Sequence, residues 1–134
     1  MICSREAVRR MSTRLGGTGG GIVNVSSGAA HSGAPGEYLD YAASKGAVET
    51  GGDATGVTVK SWELKGNDFL TNEIKCSSLF ERLNKLIEIG DAYIILQGGT
   101  GTLLELAAVW ELANKGAMDH KPIACHSSIW QGII

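Results

Sequence analysis

Tyr41 and Lys45, four residues apart, are the first pair in this chain whose types and spacing could do chemistry. On a helix they lie one turn apart on one face. A neighbouring ammonium favours the phenolate and lowers a tyrosine's proton affinity from its reference near ~10. Tyr41 then suits general acid–base work in a carbonyl–alcohol interchange. Ser27, at the end of the preceding apolar run, could donate a hydrogen bond to a substrate oxygen. The plain alternative makes all three inherited packing or surface residues.

A second set surrounds Gly98, Gly99, Thr100, Gly101 and Thr102, which follow an apolar strand and open a helix. N–H groups at a helix N-terminus, with glycine allowing close approach, form an anion site that needs no charged side chain. Thr100 and Thr102 can add hydroxyl donors, and Glu105 stands one turn inside the helix. Arg82 lies sixteen residues before Gly98, on the preceding helix. The alternatives are a surface ion pair for Arg82 and a solvated helix position for Glu105. His31, His120 and His126 lack metal-ligand spacing, and no metal site is expected. Ser127 and Ser128 beside His126 make no nucleophile elbow.

These residues need elements to hold them. Apolar Cys3, Ala7, Met11 and Leu15, set among Arg5, Arg9, Arg10 and Arg14, predict an amphipathic helix over 3–15, ended by the glycines of 16–21. Its arginines read as a solvated face. Residues 22–25 form a buried strand, 28–37 a loop, and a helix runs from about 37–41 to 50, stopped by Gly51 and Gly52. A strand follows at 57–59, and 60–74, which lack a period, read as a long loop. Apolar positions 76, 79, 80, 83, 86 and 87 predict a helix from Cys76 to Gly90. Residues 92–96 form a buried strand. Residues 100–115 form a helix apolar on most faces and therefore largely covered; 122–125 form a last strand.

The order αβαβαβαβ defines an α/β protein, a small Rossmann-like three-layer sandwich with about four parallel strands. At 134 residues it is expected to be a single domain, 1–134. A sheet this small leaves two edges exposed, so a homo-oligomer is expected. Apolar residues are 43% and charged residues 19%, as in a folded chain, and a net charge of −2 offers nothing to nucleic acid or an anionic membrane. Cys3, Cys76 and Cys125 form no Cys-x-x-Cys and read as reduced, buried thiols of a cytoplasmic protein. No apolar run reaches 18 residues, and no signal-peptide pattern opens the chain.

Residues from about 3 to 50 resemble the short-chain dehydrogenase/reductase family, through Gly21-Ile-Val-Asn-Val-Ser-Ser27, Pro35-Gly36-Glu37 and Tyr41-Ala-Ala-Ser-Lys45-Gly46. The resemblance implies the catalytic roles above for Ser27, Tyr41 and Lys45. The chain departs from that family where the dinucleotide is held. About 20 residues precede the serine-bearing strand, with no Gly-x-x-x-Gly-x-Gly turn, no Asn-Asn-Ala-Gly strand and no match for the family's catalytic Asn. No cofactor is expected, and Ser27, Tyr41 and Lys45 become vestigial.

Residues from about 46 to 130 resemble the cytokinin riboside 5′-monophosphate phosphoribohydrolases, often labelled lysine decarboxylases. The match rests on Arg82, Gly98, Gly99, Gly101, Thr102 and Glu105, with Gln97 where that family has Pro. The resemblance implies that Glu105 and Arg82 help cleave the N-glycosidic bond of a nucleoside monophosphate while the helix N-terminus holds its phosphate. That family's first βα units, which line the base and ribose pocket, have no counterpart; the dehydrogenase-like piece stands in their place. Residues 45–52 read equally as either family, so the junction of the two fragments falls there. The expectation is a recombined, artificial protein that folds but carries no evolved activity. The alternative is a nucleotide-phosphate-binding module, or a residual nucleoside 5′-monophosphate phosphoribohydrolase, with a weak phosphate or nucleotide ligand.

Overall fold

The computed structural model describes residues 9–25, 48–49, 51–62, 68–96 and 98–125. They hold strands β1 (Ile22–Val25), β2 (Thr55–Val59) and β3 (Asn72–Cys76), helix α1 (Leu79–Ile89), strand β4 (Ala92–Ile95), helix α2 (Thr100–Asn114) and strand β5 (Ile123–Cys125). The chain divides into two compact units. One takes Met1–Gly20 with Tyr38–Ile89, the other Gly21–Glu37 with Gly90–Ile134.

In the first unit β2 and β3 pair in parallel, from Thr55 opposite Asn72 to Val59 opposite Cys76. Helix α1 packs on both strands. Ala54, Val57, Val59, Cys76 and Leu83 are buried there. Full burial of an aliphatic side chain contributes about 1.5–3 kcal/mol, enough to hold a short ladder against its helix. At the N-terminal end the helical turn at 9–11 yields at Ser12 to a 3-10 turn, Thr13–Leu15, rather than running unbroken to residue 15. Gly16, at φ 87°, ends the element as the glycine run predicts.

Strand β3 corrects the long loop expected over 60–74, and Cys76 closes a strand instead of opening a helix. In Asn72-Glu-Ile-Lys-Cys76 only Ile74 and Cys76 turn inward, so the apolar signal is two residues long. The outward face is polar: the Thr58 hydroxyl donates to Glu73 Oε1 at 3.1 Å, and Lys75 lies 3.3 Å from Glu73 Oε2.

Helix α1 begins after two serines for a capping reason. The Ser78 hydroxyl accepts from the Glu81 N–H at 3.1 Å, while the Glu81 carboxylate accepts from the Ser77 N–H at 2.8 Å and from the Ser77 hydroxyl. The first-turn N–H of Glu81 and the N–H of Ser77 just before the helix are thereby satisfied. The Ser77 hydroxyl, then its N–H, and more weakly the charge of Lys60 hold the Glu81 carboxyl below its ordinary value, against a small opposing effect of desolvation. Phe80, expected on the apolar stripe, is 70% exposed.

The second unit is a parallel sheet in the order β1-β4-β5. Ile22 stands opposite Ala92, and Tyr93 opposite Ile123. Gly21 fixes the start of β1: its N–H donates to Asp91 Oδ2 at 2.7 Å, and its carbonyl accepts from the Asp91 N–H at 2.8 Å. Tyr93, Ile94 and Ile95 are buried in succession, which requires cover on both faces of β4. Helix α2 makes the crossover from β4 to its parallel neighbour β5. The α/β class, with parallel strands and helices, stands; β3 is the strand beyond the four expected. No helix of the described residues is long and apolar enough to cross a membrane.

Candidate functional site

Strand β4 ends in buried Leu96, and two residues later the chain enters the glycine turn that starts α2. Gly99 is the N-cap, extended at φ −97° and ψ −152°, and brings no capping side chain. Among the described residues no side chain caps the first turn, and no acidic residue in that turn repels an anion. Thr100 and Gly101 are exposed, and a Cβ on Gly101 would meet open space.

Gly98 is different. A Cβ there would lie 2.7 Å from the Cβ of Thr102 and run into its hydroxyl. The missing side chain is what lets Thr102 tuck under the turn, where it is 1% exposed. Its Oγ1 is buried without a hydrogen-bond partner among the described residues. Leaving such a group unsatisfied costs about 1–3 kcal/mol. Glu105, one turn on, is 3% exposed and shares the inward face with Leu106 and Val109. The solvated position considered for Glu105 does not hold. A carboxylate is placed there against a desolvation cost that a helix surface would have avoided.

Arg82 is on α1, in the other unit. Its Nε donates to the Val57 carbonyl at 2.9 Å, and its guanidinium lies 5.8 Å from the centroid of the Trp62 ring. Trp62 was missed in the sequence. It ends a 3-10 turn, Lys60–Trp62, inside the stretch read as a featureless loop, and its signal is a lone aromatic just past a strand. Ser27, Tyr41, Lys45, Gln97, His31, His126, Ser127 and Ser128 lie outside the described residues. His120 is exposed, and no group of three His, Cys, Asp or Glu among the described residues could hold a metal. Cys76 and Cys125 are free thiols, and burial pushes that of Cys125 up.

A shallow concavity of about 500 Å³ lies between β3 and α1, lined by Ile74, Cys76, Glu81, Asn84, Lys85 and Glu88. Its charges are already engaged: Lys85 with Glu88 at 3.0 Å, and Glu81 with Ser77. It contains neither Arg82 nor a residue of the glycine turn.

A glycine-opened helix that follows a parallel strand, with a glutamate buried one turn inside it, is an arrangement typical of α/β proteins. Comparison with known proteins gives the family. The one described as possible lysine decarboxylase matches residues 41–133, and the chain belongs to it. Among curated proteins the chain is similar to the uncharacterized oxidoreductase YgfF of Escherichia coli (strain K12), 37% identical over 120 residues. That match takes in 87% of this chain and 48% of that protein, so the chain spans about half the length of this relative. Among solved structures it resembles the X-ray structure of TM1055, a structural-genomics target, with a TM-score of 0.56 at 22% identity. The likeness covers 90% of this chain and 58% of that one, and it carries the fold alone.

These findings correct the expectation of an artificial recombination. One family match runs through residues 45–52, where two fragments were to be joined, and takes in Tyr41 and Lys45 together with Arg82 and Glu105. The likeness to the oxidoreductase extends over 120 residues, 87% of this chain. A helix followed by a strand is common to many βα folds, so a short run at that point does not separate one family from another. The chain is a member of a natural family; the chimera, the de novo origin and the separate dehydrogenase fragment are set aside.

Proposed function

We propose that the chain is a phosphoribohydrolase-like protein that binds a nucleoside 5′-monophosphate and hydrolyses its N-glycosidic bond. The observation that carries this reading is the burial of Glu105 one turn behind the glycine-opened start of α2, at 3% exposure. Gly98, Gly99, Thr100, Gly101 and Thr102 would hold the phosphate through first-turn N–H groups, and the orphan Thr102 hydroxyl supports a polar group at this turn. Cleavage of the C1′–N bond builds positive charge on the ribose, as in glycoside hydrolysis generally. A desolvated carboxylate offsets that charge and accepts the proton of the incoming water, while the base leaves with the bonding pair and takes up a proton.

Self-association belongs to the same reading. Leu103, Leu104 and Trp110 of α2 are 37%, 37% and 40% exposed, and Ala107 between them is also exposed, so the helix expected to be covered presents an apolar face. A second copy of this chain is the partner proposed for it.

The test is release of free base and ribose 5-phosphate from AMP, followed by chromatography. Glu105→Gln keeps the shape of the side chain and should lower the rate at least about 100-fold, the size expected for loss of a preorganised charge. No base release from any common nucleoside monophosphate at micromolar protein sinks the reading. Saturable micromolar binding of NAD(H) would turn it toward the activity named for the oxidoreductase relative.

A further inference from the structure

Strand β3 pairs with β2 on one side, and no strand of the described residues lies along its other edge. Which backbone groups face that edge follows from the ladder. The Asn72 N–H points toward β2 and donates to the Ala54 carbonyl at 3.1 Å, in the register that sets Thr55 opposite Asn72. Backbone direction alternates along a strand, so Ile74 and Cys76 also turn their N–H and C=O groups toward β2. The N–H and C=O groups of Glu73 and Lys75 are left for the other edge. The side chains alternate between the two faces. Ile74 and Cys76 line the concavity of about 500 Å³ beside α1, while Glu73 and Lys75 stand exposed on the opposite, polar face.

An edge of this kind invites a second strand, and a lysine on it is a common way to repel one. Here a glutamate stands two residues before the lysine, which turns repulsion into a match. Two copies of β3 laid antiparallel about a two-fold axis at Ile74 set Glu73 opposite the partner's Lys75, and Lys75 opposite the partner's Glu73. Backbone groups meet in the same register, because those of Glu73 and Lys75 already face outward. Ile74 then meets the partner's Ile74 in a non-hydrogen-bonded pair, with Cα atoms about 4.5 Å apart. Neighbouring registers fail. Centred on Glu73 or on Lys75 they oppose like charges; centred between residues they meet backbone groups turned toward β2. Helix α1 packs on β2 as well as β3 and is set back from the edge. The two copies of α1 would stand roughly 10 Å apart, without clash.

We propose that the edge of β3 is an interaction surface for a second copy of this chain, the two strands pairing antiparallel about Ile74 to join their two-stranded ladders into one sheet. This surface is separate from the exposed stripe on α2, and it does not rest on the hydrolase reading.

Charge exchange followed by sedimentation tests it, in the Leu103→Glu, Trp110→Glu background so that the α2 stripe contributes nothing. Glu73→Lys and Lys75→Glu each set like charges against one another, and each alone should weaken the dimer at least about tenfold. An equimolar mixture of the two should recover it to within about threefold, because a chain with two lysines then faces one with two glutamates. A second measurement needs neither the charges nor that background. Ile74→Cys in the otherwise unchanged chain should link two copies through position 74 under mild oxidation, since Cα atoms about 4.5 Å apart suit a disulfide. Lys75→Cys should not link to its own counterpart, because it lies opposite Glu73. Single charge variants that associate as tightly as their background, or a mixture no tighter than either alone, overturn the proposal. So does a folded Ile74→Cys protein that forms no link through position 74.

Discussion

Two glycines three positions apart separate what the glycine turn does for the fold from what it does for a ligand. At Gly98 a methyl group would collide with Thr102, so Gly98→Ala must push that side chain out of a site where it is 1% exposed. The expected loss is about 1–3 kcal/mol, the usual cost of overpacking, read by urea unfolding. At Gly101 the same methyl meets open space. Gly101→Ala should leave stability unchanged or raise it by up to about 1 kcal/mol, because alanine is the better helix former. It also places a carbon beside the first-turn N–H groups, so phosphate or AMP binding followed by amide shifts should weaken while the melting temperature holds. If Gly101→Ala binds as well as the parent, the anion does not sit at this turn. Glu105 shows why residue-level reading stops short: its type and its distance from the glycines are visible in the sequence, but its burial is not. Whether a helical glutamate faces water or the interior depends on what covers that face, and position in the chain does not reveal it.

Elements were legible where their residues agree with one another. Tyr93, Ile94 and Ile95 form an unbroken apolar run, and a strand covered on both faces must look like that. Helix α2 is announced by the glycines before it and by Gly116 after it. β3 went unseen because its two inward residues alternate with Glu73 and Lys75, a pattern too short to stand out from a loop. Helix α1 lies between these cases: its apolar spacing was visible, but its start is set by Ser77, Ser78 and Glu81 rather than by Cys76. That start has a pH signature. The folded-state value of Glu81 is lowered chiefly by the Ser77 hydroxyl, so its contribution is complete above the ordinary glutamate range. It is lost as pH falls through the lowered folded value. Thermal melts in acid should show this slope, and Glu81→Gln should flatten it. A slope unchanged in that variant would assign acid sensitivity to other carboxylates. Ser78→Ala should cost about 1 kcal/mol at neutral pH, the worth of a hydroxyl cap.

At the scale of the whole molecule, chemistry was read from local motifs, and locality misled. Short runs that two families share were taken for two ancestries, whereas a match that continues from residue 41 to 133 needs only one. Parallel βα folds reuse the same turns, and order along the chain does not tell which strands lie in which ladder. What the sequence did carry to this scale is an excess of apolar surface. Leu103, Ala107 and Trp110 are spaced at three to four residues along α2, and all three are exposed. The opposite face of the helix carries buried Thr102, Glu105, Leu106 and Val109, so this stripe is a second face that the described residues do not fill. A copy of the same chain, related by a two-fold axis, can set one such stripe against another and bury both. Sedimentation at micromolar concentration should therefore show a dimer or larger species, against 14.1 kDa for one chain. Leu103→Glu with Trp110→Glu should shift it toward the single chain, because charges facing each other across an apolar seam lose solvation without gaining a partner. The folded core should survive this change, since neither side chain is part of it. A parent protein that sediments as a single chain, or a double variant that associates as tightly as the parent, would show that this face of α2 is not where two copies meet.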